Sequence, residues 1–315
     1  MTLRLAISGF GRIGRMTLRA FQEMGHQNME IVLINSPGLV ETSAHLYEFD
    51  SVHGRAVGTV THGEDWMDVG SGKIHMSRQR DPANIPHAAH GVDIVLECSG
   101  KFNSREASAA HLAAGAKKVL VSAPCKNADQ TIVFGVNDSL LTADADVVSN
   151  ASCTTNCLAP VAKVLADTVG IEAGYMTTIH AYTGDQPTLD SRHKDLRRAR
   201  AAAMSMIPTS TGATKAVAEV LPQLQGKMSG SAIRVPTANV SVVDLVFTTS
   251  RDTSLEEINQ LLTAAANGPM KGVLSVNVRP LVSIDFNHDP HSSVADLTQT
   301  SVSNKRLVRV LAWYD

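Results

Sequence analysis

Apolar residues follow two different rhythms along this chain. In the first half, short apolar runs alternate with stretches whose apolar positions recur every three or four residues. Residues 3–8 form a β-rich run ended by Gly9, and residues 13–24 place Ile13, Met16, Leu18, Ala20, Phe21 and Met24 at helical spacing. A second strand over 30–35 is cut off by Ser36-Pro37-Gly38. The pattern then predicts a strand at 92–97, a helix at 104–114 stopped by Gly115, and strands at 118–122 and 132–136. Short apolar strands separated by helices imply a parallel sheet covered on both faces.

Beyond Asn150 the rhythm changes. Residues 153–167 read as one helix with Cys157, Leu158, Val161, Val164 and Leu165 along a stripe, and Gly170 is positioned to stop it. Longer Thr- and Val-rich runs follow at 174–183, 232–236, 240–249 and 281–286, with a helix at 213–221. Two-residue alternation in such runs predicts a mixed, mostly antiparallel sheet. The expected fold is therefore α/β. The expected division is an N-terminal Rossmann-like domain over 1–151 and an α+β domain over 152–315.

The length of 315 residues agrees with two domains at roughly 150 residues each. Composition narrows the functional classes. Basic residues number 28 against 30 acidic, a net charge of −2, and aromatics are only 4%. A dominant attraction to nucleic acid or anionic lipid is not expected. The four cysteines (Cys98, Cys125, Cys153, Cys157) include no Cys-x-x-Cys pair and are too sparse for a disulfide framework. No metal site is expected: Pro290 breaks any helical face between His288 and His291. With no signal peptide or apolar run of membrane-spanning length expected, the cytoplasm is the expected compartment.

Gly9-Phe10-Gly11-Arg12-Ile13-Gly14 fits G-x-G-x-x-G between a predicted strand and a predicted helix. Glycines at those places permit a tight turn and bring backbone N–H groups close to a pyrophosphate on the positive end of the helix. An acidic residue normally ends the second strand of such a site and binds the adenine ribose. Ser36 stands there instead, and without a carboxylate to repel a 2′-phosphate the site suits NADP as readily as NAD.

Ser149-Asn150-Ala151-Ser152 precedes Cys153 at the start of the predicted helix. Unpaired N–H groups and the helix dipole favour a thiolate at such a place, making Cys153 the candidate nucleophile. Cys157, one turn on, reads as a small core residue. His180, at the end of a predicted strand, is the candidate base, although a strand histidine taken alone is more often structural. Thr209-Ser210-Thr211-Gly212 opens the 213–221 helix and forms a phosphate cradle. Arg197, Arg198, Arg200 and Arg234 supply guanidinium groups for anions.

Together these segments resemble phosphorylating glyceraldehyde-3-phosphate dehydrogenases. The likeness covers nearly the whole chain: GFGRIGR at 9–15, SVHGR at 51–55, AAGAKKVLVSAP at 113–124, SNASCTTNCLAP at 149–160, TTIHAYT at 177–183, DLRRAR at 195–200, IPTSTGA at 207–213 and RVPT at 234–237. The resemblance implies Cys153 as nucleophile and His180 as its base. It implies Gly9, Gly11, Arg12, Ile13, Gly14, Ser36, Arg80 and Ser122 as cofactor residues. Ser152, Thr154, Thr183, Arg197, Thr211, Gly212 and Arg234 would hold a sugar phosphate and inorganic phosphate. It further implies NAD or NADP as cofactor and a homotetramer. Ser191-Arg192 stands where NAD-specific bacterial members commonly carry Leu-Pro, and the sequence ends at Trp313-Tyr314-Asp315, ahead of the family's Asn-Glu-Trp-Gly segment and last helix. The competing expectations are an erythrose-4-phosphate dehydrogenase and a non-catalytic protein that keeps the fold.

Overall fold

A computed structural model describes residues 2–315. They divide into two compact units. One comprises the chain up to Ile132 together with Leu141–Ala151, and the other Val133–Leu140 together with Ser152–Asp315.

In the first unit the strands are β1 (Leu3–Ser8), β2 (Met29–Asn35), β3 (Phe49–Asp50), β4 (Gly54–Arg55), β5 (Thr61–His62), β6 (Trp66–Asp68), β7 (Lys73–Ser77), β8 (Ile94–Glu97), β9 (Lys118–Val121), β10 (Gln130–Thr131) and β11 (Val147–Ser149). The helices are α1 (Arg12–Met24), α2 (Val40–Glu48) and α3 (Arg105–Ala113). Nine strands form one sheet in the order β10-β11-β9-β8-β1-β2-β7-β6-β5. It is parallel from β10 to β7, and only the β7–β6 and β6–β5 pairs at one edge are antiparallel. Both faces are buried. Leu5, Ile7, Ile31 and Ile34 enter one apolar cluster with Leu18 of α1, whereas Ala6 and Leu33 enter another with Val95, Val119 and Val121. This is why β1 reads as a nearly continuous apolar run rather than an alternating one. The chain leaves β1 toward β2 on one side and later adds β8 on the other. The carboxyl ends of β1 and β8 therefore form a switch point, where α/β sheets bind ligands.

The second unit contains α4 (Cys153–Thr168), β12 (Ala173–Ala181), β13 (Ile207–Thr209), α5 (Ala213–Val220), β14 (Met228–Val235), β15 (Ser241–Thr248), α6 (Leu255–Asn267), β16 (Leu274–Asn277), β17 (Ser293–Asp296), β18 (Ser301–Ser303) and β19 (Leu307–Tyr314). Its sheet runs β13-β14-β12-β15-β19-β17-β16, with β18 also on β19. β12 pairs parallel with β14 and β16 with β17; the other pairs are antiparallel, so the sheet is mixed and mostly antiparallel. α4 packs on it between α5 and α6, with Cys157, Leu158, Ala162 and Leu165 fully buried. Ser152 caps α4 by accepting from the Thr155 N–H, and Gly170 at φ +75° follows its last turn.

Two expected strands are corrected. Residues 132–136 form no strand: β10 ends at Thr131, and the chain turns at Gly135 (φ +76°), whose N–H donates to Asp138 Oδ1. Residues 281–286 close instead as a 3₁₀ turn, Ser283–Phe286. There Asp285 Oδ2 accepts from the Val282 N–H, and Phe286 stacks on Trp313 at a centroid distance of 5.1 Å. A local side-chain hydrogen bond outcompetes ladder pairing.

The glycine turn is fixed by close approach. Gly9 sits at φ +89°, and a Cβ there would lie 2.4 Å from Ser99 Cα; one on Gly14 would lie 2.2 Å from the Gly9 carbonyl oxygen. Gly9→Ala should therefore cost more than about 1 kcal/mol in urea unfolding, since both the dihedral and the neighbouring backbone oppose a side chain. An unchanged midpoint would refute this packing account.

Candidate active site

The residues expected to hold a dinucleotide gather at the carboxyl ends of the first unit's parallel strands. Gly9 follows β1, Ser36 follows β2, Arg80 lies just beyond β7 and Ser122 follows β9. Ser36 N–H donates to the Ser77 carbonyl and Ser122 N–H to the Glu97 carbonyl, which pins both strand ends. Arg80 is exposed. Arg12 Nη1 is held 3.0 Å from Asp50 Oδ2, and Ile13 is half-exposed at the start of α1. Asp50 is held down at about pKa 2: burial opposes ionisation, but backbone donors at His53 and Val52 and the Arg12 charge outweigh it.

These residues fit a pyrophosphate. Gly11 caps α1 without any side-chain hydrogen bond, so the helix offers its first N–H groups outward. No protein atom lies within 4 Å of the place a Cβ on Gly11 would take, whereas Gly9 and Gly14 are crowded. Room is thus left on the one side of the turn where an anion would rest.

In the second unit, Cys153 is the first residue of α4 and His180 the penultimate residue of β12. Cys153 is exposed, and its Sγ lies 3.5 Å from His180 Nε2. His180 is buried, with Nδ1 2.6 Å from the Ala181 carbonyl oxygen. A carbonyl can only accept, so Nδ1 carries the proton and Nε2 turns a lone pair toward the thiol. Burial, then the Arg234 charge, push the imidazole pKa down to about 4, and His180 is neutral at neutral pH.

Arg234 stands opposite His180 in the parallel β12–β14 register. Its Nη1 donates to the Ala181 carbonyl (3.2 Å) and to Thr183 Oγ1 (3.3 Å), while its buried Nε has no partner among the described residues. Cys153, His180, Thr183 and Arg234 thus form one cluster. Other expected residues are placed differently. The Ser152 hydroxyl is engaged in capping α4 and in a 2.7 Å bond with Thr155 Oγ1. Thr154 is buried with its hydroxyl 2.8 Å from Tyr314 Oη. Thr211 Oγ1 accepts from the Ala213 N–H at the start of α5, where Gly212 faces open space. Arg197 lines a cavity of about 640 Å³ with Thr209 and Ser210. Arg198 and Arg200 are already paired, with Asp185 and Asp190 at 2.8 Å each, which leaves Arg197 as the guanidinium of that run without an ion pair among the described residues.

Sequence reasoning missed Tyr314. Its buried hydroxyl bridges Thr154 and Thr178, both at 2.8 Å, and its ring meets His180 edge-on at 5.9 Å. Alternation within 307–314 was the available signal. Cys157 behaves as expected of a core residue: fully buried beside Ser293, its thiol is pushed up to about pKa 12 by burial.

Comparison with known proteins agrees with this geometry. A family model described as "Glyceraldehyde 3-phosphate dehydrogenase, C-terminal domain" matches residues 152–315, and one described as "Glyceraldehyde 3-phosphate dehydrogenase, NAD binding domain" matches residues 3–105. A glyceraldehyde-3-phosphate dehydrogenase from Cereibacter sphaeroides is 64% identical over all of this chain and 94% of its own length. One from Xanthobacter flavus is 63% identical with the same coverage, and glyceraldehyde-3-phosphate dehydrogenase 2 from Bacillus subtilis is 51% identical over 100% of this chain and 92% of its own. With a dinucleotide turn at one switch point and a thiol–imidazole pair on a mixed sheet, the chain belongs to the glyceraldehyde-3-phosphate dehydrogenase family.

Proposed function

We propose that this chain converts glyceraldehyde 3-phosphate, inorganic phosphate and NAD to 1,3-bisphosphoglycerate and NADH through a thioester on Cys153. The observation that carries the reading is the 3.5 Å approach of an exposed thiol to the unprotonated nitrogen of a neutral, buried imidazole. Residues 1–151 act as the dinucleotide-binding domain and 152–315 as the catalytic domain.

Cys153 Sγ attacks the aldehyde carbon while its S–H proton passes to His180 Nε2, which hands that proton on to the carbonyl oxygen to give a thiohemiacetal and returns to its neutral form. The first-turn N–H groups of α4 lack helical acceptors and stabilise charge on that oxygen. His180 Nε2 then accepts the hydroxyl proton as the carbon loses hydride. When bound, the oxidised nicotinamide supplies the hydride acceptor. Because burial disfavours the imidazolium, His180 releases its proton readily after the thioester has formed. A phosphate oxygen attacks the thioester carbon, the C–S bond breaks, and the thiol is restored. Arg234 and Thr183 hold one anion beside His180, and Arg197, Thr211 and Gly212 hold the other. Ser152 and Thr154 shape the thiol's helix turn.

Ser36 supports use of NADP as well as NAD, since the residue that follows β2 carries a hydroxyl rather than a carboxylate. Family membership supports a homotetramer. The four free cysteines and the absence, among the described residues, of any helix long and apolar enough to cross a membrane support a reducing cytoplasm.

Cys153→Ser should lower kcat at least about a thousandfold in an assay of reduced nicotinamide formation, while dinucleotide binding is retained. Near-normal turnover would refute the thioester route. Using NADP in the same assay should give a kcat/KM within about tenfold of NAD, and a preference for NAD of several hundredfold would defeat the Ser36 argument.

The His180 shift also sets a pH dependence. The folded pKa of about 4 lies below the ordinary histidine value of 6.5, so the unfolded chain binds the extra proton between those values. The stability that a neutral His180 confers is complete above pH 6.5 and falls by up to about 3 kcal/mol as the pH drops to 4. Urea midpoints measured from pH 7 to 4 should fall less steeply in His180→Asn than in the parent chain; parallel curves would contradict the assignment.

A further inference from the structure

Beneath the glycine turn lies a chain of buried polar groups that the proposed reaction does not use. Glu97, the last residue of β8, pairs with Ser8 of β1 and Val121 of β9 and so stands at the switch point. Its carboxylate is 1% exposed, and His111 of α3 and His87 are both 0% exposed. Glu97 Oε1 accepts from the Ser99 N–H at 2.7 Å and from the Ser99 hydroxyl. Glu97 Oε2 lies 3.0 Å from His111 Nε2, and His111 Nδ1 lies 3.0 Å from His87 Nε2.

The direction of these bonds follows from what each atom can do. With the Glu97 oxygen as acceptor, the proton on His111 sits on Nε2, and in the neutral ring Nδ1 then holds a lone pair. His87 Nε2 must then be the donor, which leaves His87 Nδ1 as a bare acceptor. That atom is buried without a partner among the described residues. Burial, followed by the neighbouring His111 and His90, pushes the His87 pKa down to about 4, in keeping with a neutral His87 ring. The other end reaches the turn. Ser99 Oγ also accepts from the Lys101 N–H, and the Ser99 backbone occupies the space that a Gly9 side chain would need.

We propose that His111 and His87 are positioning residues for the dinucleotide: they orient Glu97, which fixes the Ser99–Lys101 turn against which Gly9 is seated. The inference rests on reading the Gly9–Gly14 turn as the cofactor site. Neither histidine touches the cofactor. Each acts by keeping the carboxylate supplied with donors, so that Ser99 cannot shift away from the glycine backbone and widen the cradle.

The test is isothermal titration of the intact chain with NAD, with thermal melting of the NAD-free protein in parallel. His111→Leu removes the donor to Glu97 and should raise the NAD dissociation constant at least about tenfold. The KM for NAD should rise likewise while kcat is kept, and iodoacetamide should alkylate Cys153 at the parental rate. His111→Gln, which restores an N–H on a side chain of similar reach, should recover most of the affinity. His87→Phe, which strips His111 Nδ1 of its donor, should give a smaller rise in the same direction and serves if His111→Leu does not fold. Unchanged NAD affinity in His111→Leu and His87→Phe, with a lowered melting temperature alone, would overturn the inference and leave the cofactor reading intact. Absence of NAD binding in the parent chain would overturn both.

Discussion

The hydrogen bond from His180 Nδ1 to the Ala181 carbonyl decides what the second unit can do chemically. It assigns the proton to one nitrogen, and so makes the other an acceptor aimed at Cys153. Arg234 donates to the same carbonyl and places a positive charge beside the ring, which together with burial keeps the imidazole uncharged. Strand register makes this possible. His180 and Arg234 are partners across the parallel β12–β14 pair, and a slip of one residue would send one of them to the opposite face of the sheet. The helix cap does the matching task for sulfur, because Ser152 ends the preceding segment and Cys153 begins α4.

Much of this was readable in the sequence because the signals were local. β1 falls on residues 3–8 as the apolar run implied, and α4 starts at the residue following its capping serine. The glycine turn was legible from spacing alone. What escaped depends on distant partners. α2, β5, β6 and β7 carry mixed polar residues and acquire their order from the sheet edge they complete. Alternation marks the carboxy-terminal strand β19, which bears Tyr314, but nothing local shows that it pairs with β15 and β17. Commitment of hydroxyls is equally non-local: nothing near Thr154 announces that Tyr314 will occupy its side chain.

Two buried histidines are kept neutral chiefly by burial, in different surroundings. His180 faces the Arg234 guanidinium, whereas His87 ends a relay that runs through His111 to the Glu97 carboxyl group. The first arrangement leaves a lone pair available to a reacting group; the second leaves one ring nitrogen buried with no partner among the described residues. Identical side chains therefore take on opposite uses according to what accepts their single proton.

The margins of both sheets are short. In the first unit they are the two-residue strands β10 and β5, and in the second β13 carries Pro208 while β16 is four residues long. A two-residue rim presents too few free amides to template another strand, and a proline lacks the amide altogether. Runaway fibrillar growth from either sheet is thereby discouraged, so self-association of this protein is steered toward side-chain surfaces rather than backbone ladders.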